Sequence, residues 1–166
     1  MTRKMLISVA AILAMSVFAL AAMKQNFSGT WTMDRARSFG LPANMNQVLT
    51  ITQKEDQIEL ETKLIQPDNE RVVKDTYVLD GKEYEFTPPT PPGGQTPPKG
   101  KRTANWLPGG NGITVTDVTT AETPKGPVTT QVTRKWTISA QGELVIDMYV
   151  DNPNISYEAK RIFKRS

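Results

Sequence analysis

From Gly29 onward, apolar and polar residues alternate with a period of two, and β-branched residues recur in short runs cut by turn residues. Alternation of this kind puts successive side chains on opposite faces of an extended chain, so it predicts sheet rather than helix. Ten strands follow, at 29–34, 46–53, 57–65, 71–79, 82–87, 101–107, 112–121, 127–138, 143–150 and 155–164. Between them stand Glu55-Asp56, Pro67-Asp68-Asn69, Asp80-Gly81, Gly109-Gly110-Asn111-Gly112, Gln141-Gly142 and Asn152-Pro153-Asn154. Gly and Asn there supply positive φ and Pro fixes a corner, which is turn chemistry. Links this short join antiparallel neighbours, so the chain is expected to be an all-β, up-and-down meander of eight to ten strands. A sheet of that width curls, and closing it into a barrel removes its edges; a β-sandwich is the alternative.

One segment breaks the alternation. Residues 87–100 hold Pro88, Pro89, Pro91, Pro92, Pro97 and Pro98 together with Gly93 and Gly94. Such a stretch lacks the donors a ladder needs and is predicted to be an extended loop. Its simplest role is a solvated hairpin connection. The functional alternatives are a lid over a barrel mouth or a contact for a proline-reading partner.

The N-terminus is also set apart. Arg3 and Lys4 precede an uncharged apolar run, which ends in Ala19-Leu20-Ala21. A basic start, an apolar middle and a small-x-small end predict a cleaved export signal over residues 1–21, with an uncleaved membrane anchor as the competing reading. The mature chain, 22–166, is long enough for one domain with one core. It is expected to be secreted or periplasmic, with no stable membrane insertion after cleavage. Loss of Arg3 and Lys4 takes the formal charge from +3 to +1, with 18 basic side chains against 17 acidic. That balance argues against nucleic acid as a partner. The chain has no Cys and no His, which excludes disulfides, thiolate or imidazole catalysis, and His- or Cys-based metal sites. No cofactor or metal is expected.

Candidate chemistry comes from sorting the faces of the last three strands. Val128, Thr130, Val132, Arg134, Trp136 and Ile138 share one face; Leu144, Ile146, Met148 and Val150 the next; Tyr157, Ala159, Arg161 and Phe163 the last. These apolar sets are expected to point inward. Arg134 and Arg161 then lie on otherwise apolar faces, and an inward guanidinium requires an anion or an aromatic plane to offset its desolvation. The carboxylates Asp117, Glu143, Asp147 and Glu158 are the candidates for acid–base work, but Asp147 and Glu158 fall on outward faces, and catalysis is not expected.

Asn26-Phe27-Ser28-Gly29-Thr30-Trp31 at one end of the domain and Lys160-Arg161-Ile162-Phe163 at the other resemble the calycins, the group that includes lipocalins and fatty-acid-binding proteins. The resemblance implies an exported bacterial, lipocalin-like β-barrel in which Gly29 and Trp31 open the first strand and Arg161 lies across Trp31. It further implies that Arg134 and Arg161 are placed to bind a carboxylate. Phe163 stands where a Tyr would supply a further donor in fatty-acid-binding proteins, and 35–45 is too short for their two-helix lid. The function expected is non-enzymatic binding of a small hydrophobic or amphipathic molecule. Its site would comprise Arg134, Trp136, Met148, Tyr157, Arg161 and Phe163. The alternative is an envelope protein that acts through its surface and its proline loop, with no internal ligand.

Overall fold

The computed structural model describes residues 24–88 and 98–166. The predicted signal segment 1–21 and the middle of the proline segment lie outside these residues. Ten strands form: β1 Gly29–Met33, β2 Asn46–Lys54, β3 Gln57–Gln66, β4 Asn69–Val78, β5 Asp80–Phe86, β6 Lys99–Trp106, β7 Gly112–Thr123, β8 Gly126–Ile138, β9 Leu144–Asn152 and β10 Ile155–Arg165. They make one antiparallel sheet in the order β4-β3-β2-β1-β10-β9-β8-β7-β6-β5. The architecture is a nearly closed all-β barrel, as the alternation predicts.

Consecutive strands pair everywhere except at one seam. β4 and β5 are joined by Leu79 alone yet share no ladder. The Leu79 side chain is buried, and its N–H donates to Asp56 O at 2.7 Å in the β2–β3 turn. This donor is committed elsewhere, and the chain leaves the plane of the sheet where a hairpin would otherwise form.

The end of the barrel that carries the β2–β3, β4–β5, β6–β7 and β8–β9 links is closed by residues 24–28. Phe27 is fully buried, stacks on Trp106 at 6.4 Å and meets Trp136 edge-on at 6.0 Å. Gln53 accepts from the Phe27 N–H at 2.9 Å, and Trp31 Nε1 donates to Phe27 O at 2.9 Å. Lys24 pairs with Asp56, whose Oδ1 also accepts from Trp106 Nε1 at 2.8 Å. The aromatic rings thus fill this end while every one of these polar groups keeps a partner.

The clasp over Trp31 differs from expectation. Arg165, and not Arg161, lies over its ring at 4.7 Å. Register decides this, because Trp31 stands opposite Arg165 in the β1–β10 ladder, while Arg161 stands opposite Ile146 of β9. Gly29 beside it has φ 137°, a backbone conformation that favours glycine, while a Cβ there would meet the Arg165 guanidinium only at ordinary contact distance, 3.5 Å. The 35–45 linker holds only a 3-10 turn, Arg35–Arg37, after which Phe39 bridges to Lys160 and prolongs the β1 side of β10.

Candidate functional site

Inside the barrel lies a partly open cavity of about 240 Å³. Its apolar wall comes from Leu49, Leu60, Tyr77, Trp136, Ile146 and Phe163, all of them buried. Arg134 and Arg161 bring charge to the β8–β10 wall, Asp75 and Arg71 to the β4 wall. Alternation explains why these residues converge: each occupies the inward parity of its strand, set by the ladders that pair Arg134 with Met148 and Arg161 with Ile146.

Five of the six predicted ligand residues therefore line one cavity: Arg134, Trp136, Met148, Arg161 and Phe163. Tyr157 does not. It has the inward parity but lies close to the β9–β10 turn, where the hairpin runs past the enclosed interior, and it is 44% exposed.

The charges inside the barrel form a chain. Arg102 of β6 donates from Nε and Nη2 to the two oxygens of Asp117 at 2.6 and 2.9 Å, and from Nη1 to Asp75 at 2.8 Å. Its guanidinium lies over the rings of Tyr77 at 4.7 Å and Phe86 at 4.1 Å. Arg134 Nη1 donates to Asp117 Oδ2 at 2.7 Å. Burial alone would raise the Asp117 carboxyl, but the hydrogen bond from Arg102 and the charge of Arg134 overcome it and hold the group below its ordinary value. Burial likewise opposes the charge on Arg102, and Asp117 more than restores it.

Arg161 is placed differently. Among the described residues its guanidinium has one polar partner, the weak acceptor Met148 Sδ, and no carboxylate within salt-bridge distance. Residues 1–23 and 89–97 contain no Asp or Glu. Burial, and then the like charge of Arg134, pull its pKa below the ordinary value for arginine. A second unsatisfied donor stands in the same wall: Trp136 Nε1 is buried with no hydrogen-bond acceptor among the described residues. Burial also raises the Tyr77 phenol to about 12, so it stays protonated.

No family model matches this chain, and no curated protein matches it. The solved structures similar to it include these two. One is the REP1-NXSQ fatty acid transporter, at 14% identity and a TM-score of 0.47, over 84% of this chain and 95% of that one. The other is secretory abundant heat soluble protein 4 from Ramazzottius varieornatus, at 12% identity and a TM-score of 0.45, over 84% and 94% of the two chains. What the site does is decided by its own side chains.

Arg102 and Asp75 escape a sequence reading that sorts only the last three strands, and Asp117 enters it only as an acid–base candidate, not as the inward partner of Arg102 and Arg134. Asp117 sits in a Thr-rich strand, yet Ile113-x-Val115-x-Asp117 carries the same period-two signal. Arg102 is disguised by Lys99-Gly100-Lys101, which reads as a basic surface run. The structure turns Lys99 and Lys101 outward and Arg102 inward. Of the remaining carboxylate candidates, Asp147 pairs with Lys160 on the outer face, Glu143 with Arg37, and Glu158 is exposed.

Proposed function

We propose that this protein is an exported binding protein that holds a small amphipathic molecule with one acidic head, apolar body against the Trp136–Phe163 wall and head at Arg161. The observation that carries this reading is Arg161: a cavity-facing guanidinium with no carboxylate partner, next to a neighbour of like charge. An arrangement of this kind is costly until an anion enters, and an entering carboxylate gains charge-assisted hydrogen bonds where water is scarce. Binding without turnover fits the inward carboxylates, since Asp75 and Asp117 are both tied to Arg102. Export rests on the form of residues 1–21, and a mass measurement on protein from outside the cytoplasm tests it: Ala22 as the first residue is the expected result, and an intact Met1 overturns it.

Ligand binding is tested by titrating the purified mature chain with a medium-length alkyl carboxylate and with the alcohol of equal length. A charge-assisted contact worth about 1.5–3 kcal/mol predicts that the carboxylate binds tighter by roughly tenfold to a hundredfold. Arg161→Met is expected to erase that difference while the alcohol binds as before. Equal affinity for acid and alcohol in the wild-type chain overturns the reading.

A further inference from the structure

Three arginines line the cavity, Arg71, Arg134 and Arg161, against a single carboxylate, Asp75. That carboxylate already receives Arg102, and Asp117, beyond the lining, receives both Arg102 and Arg134. Four guanidinium charges thus meet two carboxylate charges, which leaves the interior with an excess of two positive charges. The outer face of the β3–β4 wall is balanced by comparison: Lys63 pairs with Glu70 and Lys74 with Glu61 across the ladder. Arg71 has the inward parity of β4, lies close to the β3–β4 turn with its side chain exposed, and has no carboxylate within salt-bridge distance among the described residues.

We infer that the acidic head is a dianion, a phosphate monoester received by Arg161, Arg134 and Arg71. The inference rests on the binding reading above and adds to it the charge and chemical class of the head. The arginines of β8 and β10 are neighbours: Arg134 stands opposite Met148 in the β8–β9 ladder, and Arg161 donates to the sulfur of that same Met148. Arg134 gives one nitrogen to Asp117, and its Nε and Nη2 have no acceptor among the described residues. Arg161 gives only Nη1, and only to a weak acceptor. Planar N–H forks of this kind match the oxygens of a phosphate, which carries about −1.5 to −2 charges at neutral pH and three strong acceptor oxygens. A carboxylate offers two oxygens and cancels only half of the excess charge. Arg71 comes from the facing β4 wall, so the head is met from two sides while its alkyl chain lies against the Trp136–Phe163 wall.

The test titrates the purified chain with hexyl phosphate, hexyl sulfate, hexanol and inorganic phosphate. Hexyl sulfate has the same tetrahedral head but a single charge throughout, so the comparison isolates the second charge. At about pH 7.5 hexyl phosphate is expected to bind tighter than hexyl sulfate by roughly tenfold, the effect of one further charge-assisted hydrogen bond. At about pH 5, below the second ionisation of the phosphate near 6, that advantage is expected to vanish. The chain has no His and no Cys, the side chains whose ordinary values lie closest to this window, so the pH dependence reports the ligand. Arg71→Gln changes an exposed side chain and is expected to weaken hexyl phosphate by about tenfold at the higher pH and hexyl sulfate much less. Equal affinities for phosphate and sulfate at the higher pH, or a preference that Arg71→Gln leaves intact, overturn the inference, and the binding reading survives either result if both anions still bind tighter than hexanol. If inorganic phosphate binds as tightly as hexyl phosphate, the dianion site stands and the reading of an amphipathic ligand falls.

Discussion

At the scale of single residues, the two inward arginines of β8 and β10 have opposite roles in stability. Arg134 is half of an ion pair, so Arg134→Met leaves Asp117 with Arg102 alone and is expected to lower stability by about 1–2 kcal/mol. Arg161 lacks a carboxylate and is repelled by Arg134, so Arg161→Met is expected to leave stability unchanged or raise it by about 1 kcal/mol. Urea melts of the ligand-free variants check this contrast, and equal losses would refute it. Both residues could be found from the sequence because a charge interrupts an apolar period-two face. Which of them covers Trp31 could not be found, since Arg161 and Arg165 share a parity and only the register selects Arg165. The partner of Arg134 could have been found: Asp117 continues the face of Ile113 and Val115, a pattern obscured by the threonines between them.

Elements are bound together by charges at two depths, and acid separates them. Asp34, at the end of β1, is lowered from 3.8 to about 2, first by its hydrogen bond with Lys164 of β10 and then by Arg37. Asp117 is lowered inside the barrel by Arg102 against the effect of burial. A carboxylate whose folded pKa lies below its unfolded one contributes stability that is complete above the unfolded value, near 3.8, and is lost as pH falls through the folded value. Stability is therefore expected to be flat down to about pH 4 and to fall steeply toward about pH 2. Asp34 is at the surface and its share is expected to fade in about 1 M salt, whereas the share of Asp117, shielded from solvent, persists. Acid titrations followed by circular dichroism at low and high salt, on the wild type and on Asp34→Asn and Asp117→Asn, check the assignment. If salt removes the whole acid transition, the buried pair is not its main source. Element positions were legible because turn residues bracket most alternating runs, although Asp80-Gly81, which reads as a turn, instead opens β5. The link between Asp34 and Lys164 was not, because it joins residues at opposite ends of the sequence.

On the scale of the whole molecule, the barrel has one place where backbone pairing does not hold it shut. Strands β4 and β5 each leave one edge unpaired at the seam, and the strongest described link across it is the hydrogen bond from Arg102 of β6 to Asp75 of β4, with Tyr77 and Phe86 stacked on the same guanidinium. Alternation and short turns predict a closed meander, and the structure departs from it only here, because Leu79 gives its N–H to Asp56 and leaves no turn to start a β4–β5 hairpin. A link made of one charged hydrogen bond and two ring contacts opens more readily than a ladder of paired strands. Hydrogen exchange is therefore expected to be fastest, among the strands, in β4 and β5 and slowest in β8 and β9, which are paired on both sides. Asp75→Asn keeps the shape of the side chain but removes the charge that binds Arg102, and is expected to weaken the link by about 1–2 kcal/mol. That corresponds to roughly tenfold faster exchange in β4, with β8 and β9 little changed. Since β4 supplies Arg71, Val73, Asp75 and Tyr77 to the cavity wall, the same variant should speed both entry and release of an alkyl carboxylate while its equilibrium affinity moves much less. A uniform rise in exchange across all ten strands would mean that Asp75 supports overall stability rather than the seam.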